Sequence, residues 1–160
     1  MKTGNTVEMA GDLDNIVNLA AATERWPEIL PHYRWVTVLD GGGDHKTVEM
    51  AARRGRIPVK WRAVQDVERD GPSPIIHFRH IGGVTKGMIV AWTFAPSPNG
   101  WLVMIDHDFT PPWPVVGNLV ADHIIGPQFI EAIAGRTLNT IKGIVEDRDP
   151  RFDPTGKARV

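Results

Sequence analysis

Residues 57–67 read Ile57-Pro58-Val59-Lys60-Trp61-Arg62-Ala63-Val64-Gln65-Asp66-Val67. Ile57, Val59, Trp61, Ala63, Gln65 and Val67 fall on one side of an extended chain, and Lys60, Arg62, Asp66 and Glu68 on the other. A strand with one apolar and one charged face belongs to an antiparallel sheet that is covered on one side only. Working outward, the same period of two recurs. Tyr33 to Leu39 is β-branched and aromatic, Asp40 to Asp44 with its three glycines reads as a hairpin turn, and a strand runs near Lys46 to Arg54. Downstream, Gly71-Pro72-Ser73-Pro74 turns the chain into Ile75 to Ile81, where Ile76, Phe78 and His80 share a face. Gly82-Gly83 reads as the next turn, and Lys86 to Phe94 then aligns Met88, Val90, Trp92 and Phe94. After Pro96 to Gly100, the strand Trp101 to Phe109 sets Val103, Ile105 and His107 on one side and Met104, Asp106 and Asp108 on the other.

The ends of the chain read as helix. Asn5 to Ala10 is a first short strand; Asp12 is a natural N-cap for a helix carrying Leu13, Ile16, Val17 and Ala20, and Thr23 to Leu30 makes a second short helix that Pro31 stops. Beyond the strands, Pro111, Pro112 and Pro114 make a stiff crossover and Val116 to Ile125 a first helical segment. With Pro127 at its first turn, a long helix to Glu146 then places Ile130, Ile133, Ala134, Thr137, Leu138, Ile141 and Ile144 on one stripe. The expected fold is α+β: one domain over residues 1–147 and a charged, loose tail over 148–160. In it, seven strands form a curved antiparallel sheet around the long C-terminal helix, with two short helices after the first strand.

Composition narrows the function. At 160 residues with 42% hydrophobic content the chain can build one proper core, which excludes disorder as its main state. Eighteen Lys and Arg against nineteen Asp and Glu leave no basic field to attract phosphate backbones, so nucleic acid is not expected as a partner. With no cysteine, thiolate catalysis, disulfides and Cys-ligated metals are excluded. The six histidines lack metal spacing, since His77 and His80 point to opposite faces of one strand, and no metal or cofactor is expected. The start of the chain lacks a signal-peptide layout and no apolar run is long enough to span a membrane, so the expectation is a soluble, cytoplasmic protein. The oligomeric state is not legible.

The order of elements, the segment Glu24-Arg25-Trp26-Pro27-Glu28-Ile29-Leu30-Pro31-His32-Tyr33 and the ending Arg136-Thr137-Leu138-Asn139-Thr140-Ile141-Lys142 resemble the START/SRPBCC superfamily, the helix-grip fold. Within it the chain is similar to polyketide cyclase/dehydrase and aromatase/cyclase proteins and to coenzyme Q-binding START proteins. The resemblance covers residues 5–147. It implies a hydrophobic cavity between sheet and helix that holds a polyketide, quinone or lipid, without a cofactor.

Most inward positions are apolar, so the polar exceptions stand out: Gln65, His80 and His107, with Tyr33 near the cavity rim by the resemblance. A buried polar group without a partner costs about 1–3 kcal/mol, so each must bond to protein, water or ligand. His107 or His80 is the acid/base that a cyclisation would need, and Tyr33 a donor to an enolate oxygen. One position departs from the family: aromatase/cyclases carry a pocket arginine where this chain has Gln65, which has no charge to set against an enolate. Val59, Trp61 and Ile105 are expected to line the ligand space together with Trp26, Met88 and Trp92, and Trp113 to lie at its entrance. Core filling explains the same aromatics equally well, because wall and core are one surface in this fold. Three readings stay open: a polyketide cyclase/dehydrase-like enzyme, a non-catalytic lipid or quinone carrier, and a structural module with a filled core.

Overall fold

The computed structural model describes residues 2–110 and 127–146. Strand β1 (Lys2–Met9) leads into helix α1 (Leu13–Ala21), a single 3-10 turn (Thr23–Arg25) and the short helix α2 (Trp26–Ile29). Six strands follow: β2 (Tyr33–Gly42), β3 (His45–Arg54), β4 (Ile57–Glu68), β5 (Ile75–Gly83), β6 (Ile89–Ser97) and β7 (Gly100–Asp108). Helix α3 (Pro127–Val145) comes last. The proline crossover with Trp113, the segment 116–125 and the tail 148–160 lie outside the described residues.

All seven strands form one antiparallel sheet in the order β1-β7-β6-β5-β4-β3-β2, so the first strand returns to pair with the last. The chain then carries α3 across the inner face, where Leu138, Ile141 and Ile144 are buried against β1 and α1. That is the architecture the alternating strands and the long stripe imply. The caps agree locally: the Asp12 carboxylate accepts from the Asn15 amide at 3.3 Å, closing the N-terminus of α1.

Parity holds through β4, where Val59, Trp61, Ala63 and Gln65 are buried and Lys60 and Arg62 exposed. It lapses at Ile57, which is exposed at the strand's start. The expected turn at Gly82-Gly83 is displaced. The two glycines extend β5 instead, pairing with Arg62 and Trp61, and the turn falls on residues 84–87. Gly83 takes φ +83°, and a Cβ there would stand 2.4 Å from the Lys60 carbonyl oxygen, so only glycine lets the strands approach this closely. Between Gly82 and His80 the register skips Ile81, a bulge that leaves Ile81 exposed and brings His80 opposite Ala63. Met88 falls between the turn and the start of β6 rather than within the strand, yet stays buried.

Candidate functional site

Between the inner face of the sheet and the first half of α3 lies a partly open cavity of about 80 Å³. Its walls are built by register. Val59 and Trp61 stand opposite Ala52 and Met50 on β3, while Trp92 faces Ile105 and Val90 faces His107 across β6 and β7. From the other side α3 contributes Phe129, Ile130, Ile133, Ala134 and Thr137. Of the expected site residues, Trp26, Tyr33, Val59, Trp61 and His80 line this space, as do Met88, Trp92, Ile105 and His107. Phe129 and Met50 also line it and escaped the sequence reading, although Phe129 lies four and eight residues before Ile133 and Thr137, the spacing that marks one helix face.

Gln65 requires a correction. It is fully buried but does not border the cavity: its carbonyl accepts from the Thr23 hydroxyl at 2.9 Å, and its amide donates to the Ala21 carbonyl at 2.7 Å. Lys46, equally enclosed, donates to the same Ala21 carbonyl at 3.1 Å and pairs with Glu24. Gln65 therefore fastens the end of α1 to the sheet, and both its carbonyl and its amide are engaged there, away from the cavity. Tyr33 is also displaced from its expected place: it is 7% exposed, in the wall rather than at the rim.

The aromatic wall is continuous. Trp26 meets Tyr33 edge-on at 5.0 Å between ring centroids and Trp92 at 6.0 Å, while its indole N–H donates to the Leu19 carbonyl. Tyr33 in turn approaches Trp61 at 6.1 Å, and Trp61 stacks on His80, nearly parallel at 3° and offset at 5.9 Å. This wall ends in polar groups. The turn 84–87 folds back so that the Thr85 hydroxyl lies 2.6 Å from His80 Nδ1, while the His80 amide donates to the Met88 carbonyl and Gly87 donates to the His80 carbonyl. His107 has no such clip: its Nδ1 is buried without a hydrogen-bond partner.

Burial governs the charge state of these groups. Loss of hydration pushes the His80 imidazole down to about 3, helped by the nearby His107, and pushes His107 down to about 4. Both rings are neutral near pH 7. Burial raises the Tyr33 phenol far above its ordinary value, an effect that Thr137 beside it only partly offsets. A further histidine, not singled out in the sequence, ties the site together. His32 Nε2 lies 2.9 Å from Thr137 Oγ1, whose own hydroxyl donates to the Ile133 carbonyl, so His32 is the donor. Burial and the nearby Arg136 charge hold it at about 4.

Structures of known proteins share this fold. The Zhui aromatase/cyclase from Streptomyces sp. R1128 superposes with a TM-score of 0.77 at 16% identity, over 92% of this chain and 94% of that one. The di-domain ARO/CYC StfQ of the steffimycin biosynthetic pathway gives 0.73 at 16% identity, over 92% of this chain and 51% of its own. A STAR-related lipid transfer protein from Xanthomonas axonopodis gives 0.63 at 13%, covering 89% of this chain and 84% of that one. At such identities the likeness is one of fold. Comparison with curated protein sequences finds no match. The family model described as polyketide cyclase / dehydrase and lipid transport matches residues 18–124, from within α1 through all the cavity-lining strands, and the chain belongs to that family.

Proposed function

We propose that the protein binds a hydrophobic small molecule, a polyketide, quinone or lipid, in the cavity between sheet and helix, and that it works as a binding or carrier protein. The observation that carries this is the wall itself: Trp26, Tyr33, Trp61 and Trp92 around one space, ending in a few polar groups. An apolar pocket with a small number of orienting groups is the usual form of a ligand site. The space of about 80 Å³ is smaller than the roughly 300–1,000 Å³ of pockets for drug-sized ligands, so a larger guest must widen it. Met50 and Met88 are the unbranched, adaptable side chains in its lining, suited to that adjustment.

Carriage fits the electrostatics better than cyclisation. A cyclase/dehydrase acting by proton transfer needs an acid or base whose pKa lies near the working pH. His80 and His107 sit near 3 and 4, too low to hold a proton to donate at neutrality, and Tyr33 is pushed away in the other direction. The test is a titration of the full chain with quinones, fatty acids and aromatic polyketides, followed by tryptophan fluorescence. Saturable quenching is expected and is lost in Trp61→Leu; its absence for every class would sink the reading in favour of a filled-core module.

A further inference from the structure

We infer that the cavity is selective for charge: it takes an uncharged ring bearing a hydroxyl or carbonyl, held at His107, and rejects the corresponding carboxylate. The inference rests on the cavity-binding reading above and names the ligand class within it. The lining residues include no Lys, Arg, Asp or Glu among the described residues. Its polar side-chain groups are two imidazoles, the hydroxyls of Tyr33, Thr85 and Thr137, and the indole N–H groups of Trp26, Trp61 and Trp92, the first of which is spent on the Leu19 carbonyl. An ionised carboxylate moved into this space would lose its hydration and meet no opposite charge, which is costly, whereas a hydroxyl or ketone needs only one good hydrogen bond.

Among the lining residues, His107 is the one that carries a buried side-chain atom without a hydrogen-bond partner. Thr137 spends its hydroxyl proton on the Ile133 carbonyl, and Thr85 is engaged with His80. His107 Nδ1 has no partner, and directly across the β1–β7 register Thr3 Oγ1 is also buried without one. Cross-strand partners project to the same face of a sheet, so Thr3 and His107 share the inner face, and of the two His107 lines the cavity. A neutral imidazole carries one donor and one acceptor nitrogen, which suits either a hydroxyl or a carbonyl oxygen. Burial keeps that ring neutral at pH 7, so it offers a carboxylate no compensating charge.

Three single-ring probes of similar size separate the possibilities: phenol, toluene and benzoate, titrated at pH 7 into the full chain with imidazole and indole resonances followed by NMR. Phenol should shift the His107 and Trp61 signals saturably, binding at least about tenfold more tightly than benzoate and several-fold more tightly than toluene. In His107→Leu the preference for phenol over toluene should disappear while toluene binding persists. Benzoate binding as well as phenol, or phenol no better than toluene in the wild-type chain, overturns the inference while leaving apolar binding intact. Failure of toluene together with the other two removes the binding reading itself, and the inference with it. The wild-type series decides the question even if the variant does not fold.

Discussion

Helix α3 presents one stripe to the sheet, yet its two halves meet different surroundings. Leu138, Ile141 and Ile144 have no more than 1% of their surface exposed and sit in the solid core formed with β1 and α1. Phe129, Ile130 and Ile133, one to two turns earlier, border the cavity, and Ile133 is only half-buried. The residue types are the same. What differs is what lies opposite: β1 and α1 pack against the helix in one half, whereas the aromatic wall of β4 to β6 stands back in the other. A continuous apolar stripe therefore specifies docking along its whole length, while the presence of a cavity is decided by the side chains it faces.

The sharpest way to break this contrast is truncation in each half. Leu138→Ala or Ile141→Ala should cost about 2–5 kcal/mol, because every removed methyl leaves a void between close-packed neighbours. Ile130→Ala should fall at the bottom of that range, about 2 kcal/mol, since part of its surface already faces empty space and has fewer contacts to lose. Chemical denaturation of the three variants measures it. Equal losses in both halves would mean that the cavity is closed in solution.

The sheet was legible for the same reason that the cavity's contents were only partly so. Period-two alternation depends on neighbours one and two residues away, and it placed Trp61, Trp92, His80 and His107 on the inner face. It placed Gln65 there too, correctly as to face but not as to role, because its partners Thr23 and Ala21 arrive from a helix end more than forty residues earlier. The His32 to Thr137 bond spans 105 residues and leaves no local pattern at all. The Thr85 to His80 clip depends on the bulge at Ile81 and on strand β5 running through Gly82 and Gly83, where a glycine pair reads more naturally as a turn. Long-range polar pairing is thus the part of the site that periodicity does not carry.

Polar groups divide between sealed and open in the same manner as the two halves of α3. Gln65→Leu should cost about 1–3 kcal/mol, because it leaves the buried Thr23 hydroxyl without its acceptor and frees the end of α1. His80→Leu should lose a similar amount by stranding the Thr85 hydroxyl and unstacking Trp61. Toluene should stabilise the Gln65 variant by the same increment as the wild-type chain, because the cavity it enters is lined without Gln65, whereas the increment should change in the His80 variant, whose ring is part of that lining. Thermal or urea unfolding with and without toluene reads both effects, and a toluene increment altered by Gln65→Leu would place Gln65 back in the binding space.

The smallest expected effect at pH 7 belongs to His107, and it grows as the pH falls. At pH 7 the ring is neutral and its Nδ1 has no partner, so His107→Leu strands no protein group there and should alter stability by no more than about 0.5 kcal/mol. Acid separates the two proteins. The folded imidazole titrates near 4, below its ordinary value of 6.5, so between those values the unfolded chain binds a proton that the folded one does not. Stability is fully present above pH 6.5 and declines as pH falls toward 4, by up to about 1.4 kcal/mol per pH unit for each histidine held down in this way. His32 and His80 remain in the variant and keep their share of the decline. Leu at position 107 removes one proton from the balance, so the variant should become the more stable protein as pH falls through that window. Urea unfolding at pH 7 and pH 5 measures the divergence. Parallel losses in both proteins would mean that His107 is hydrated, and that the open half of the interface is wetter than its apolar lining implies.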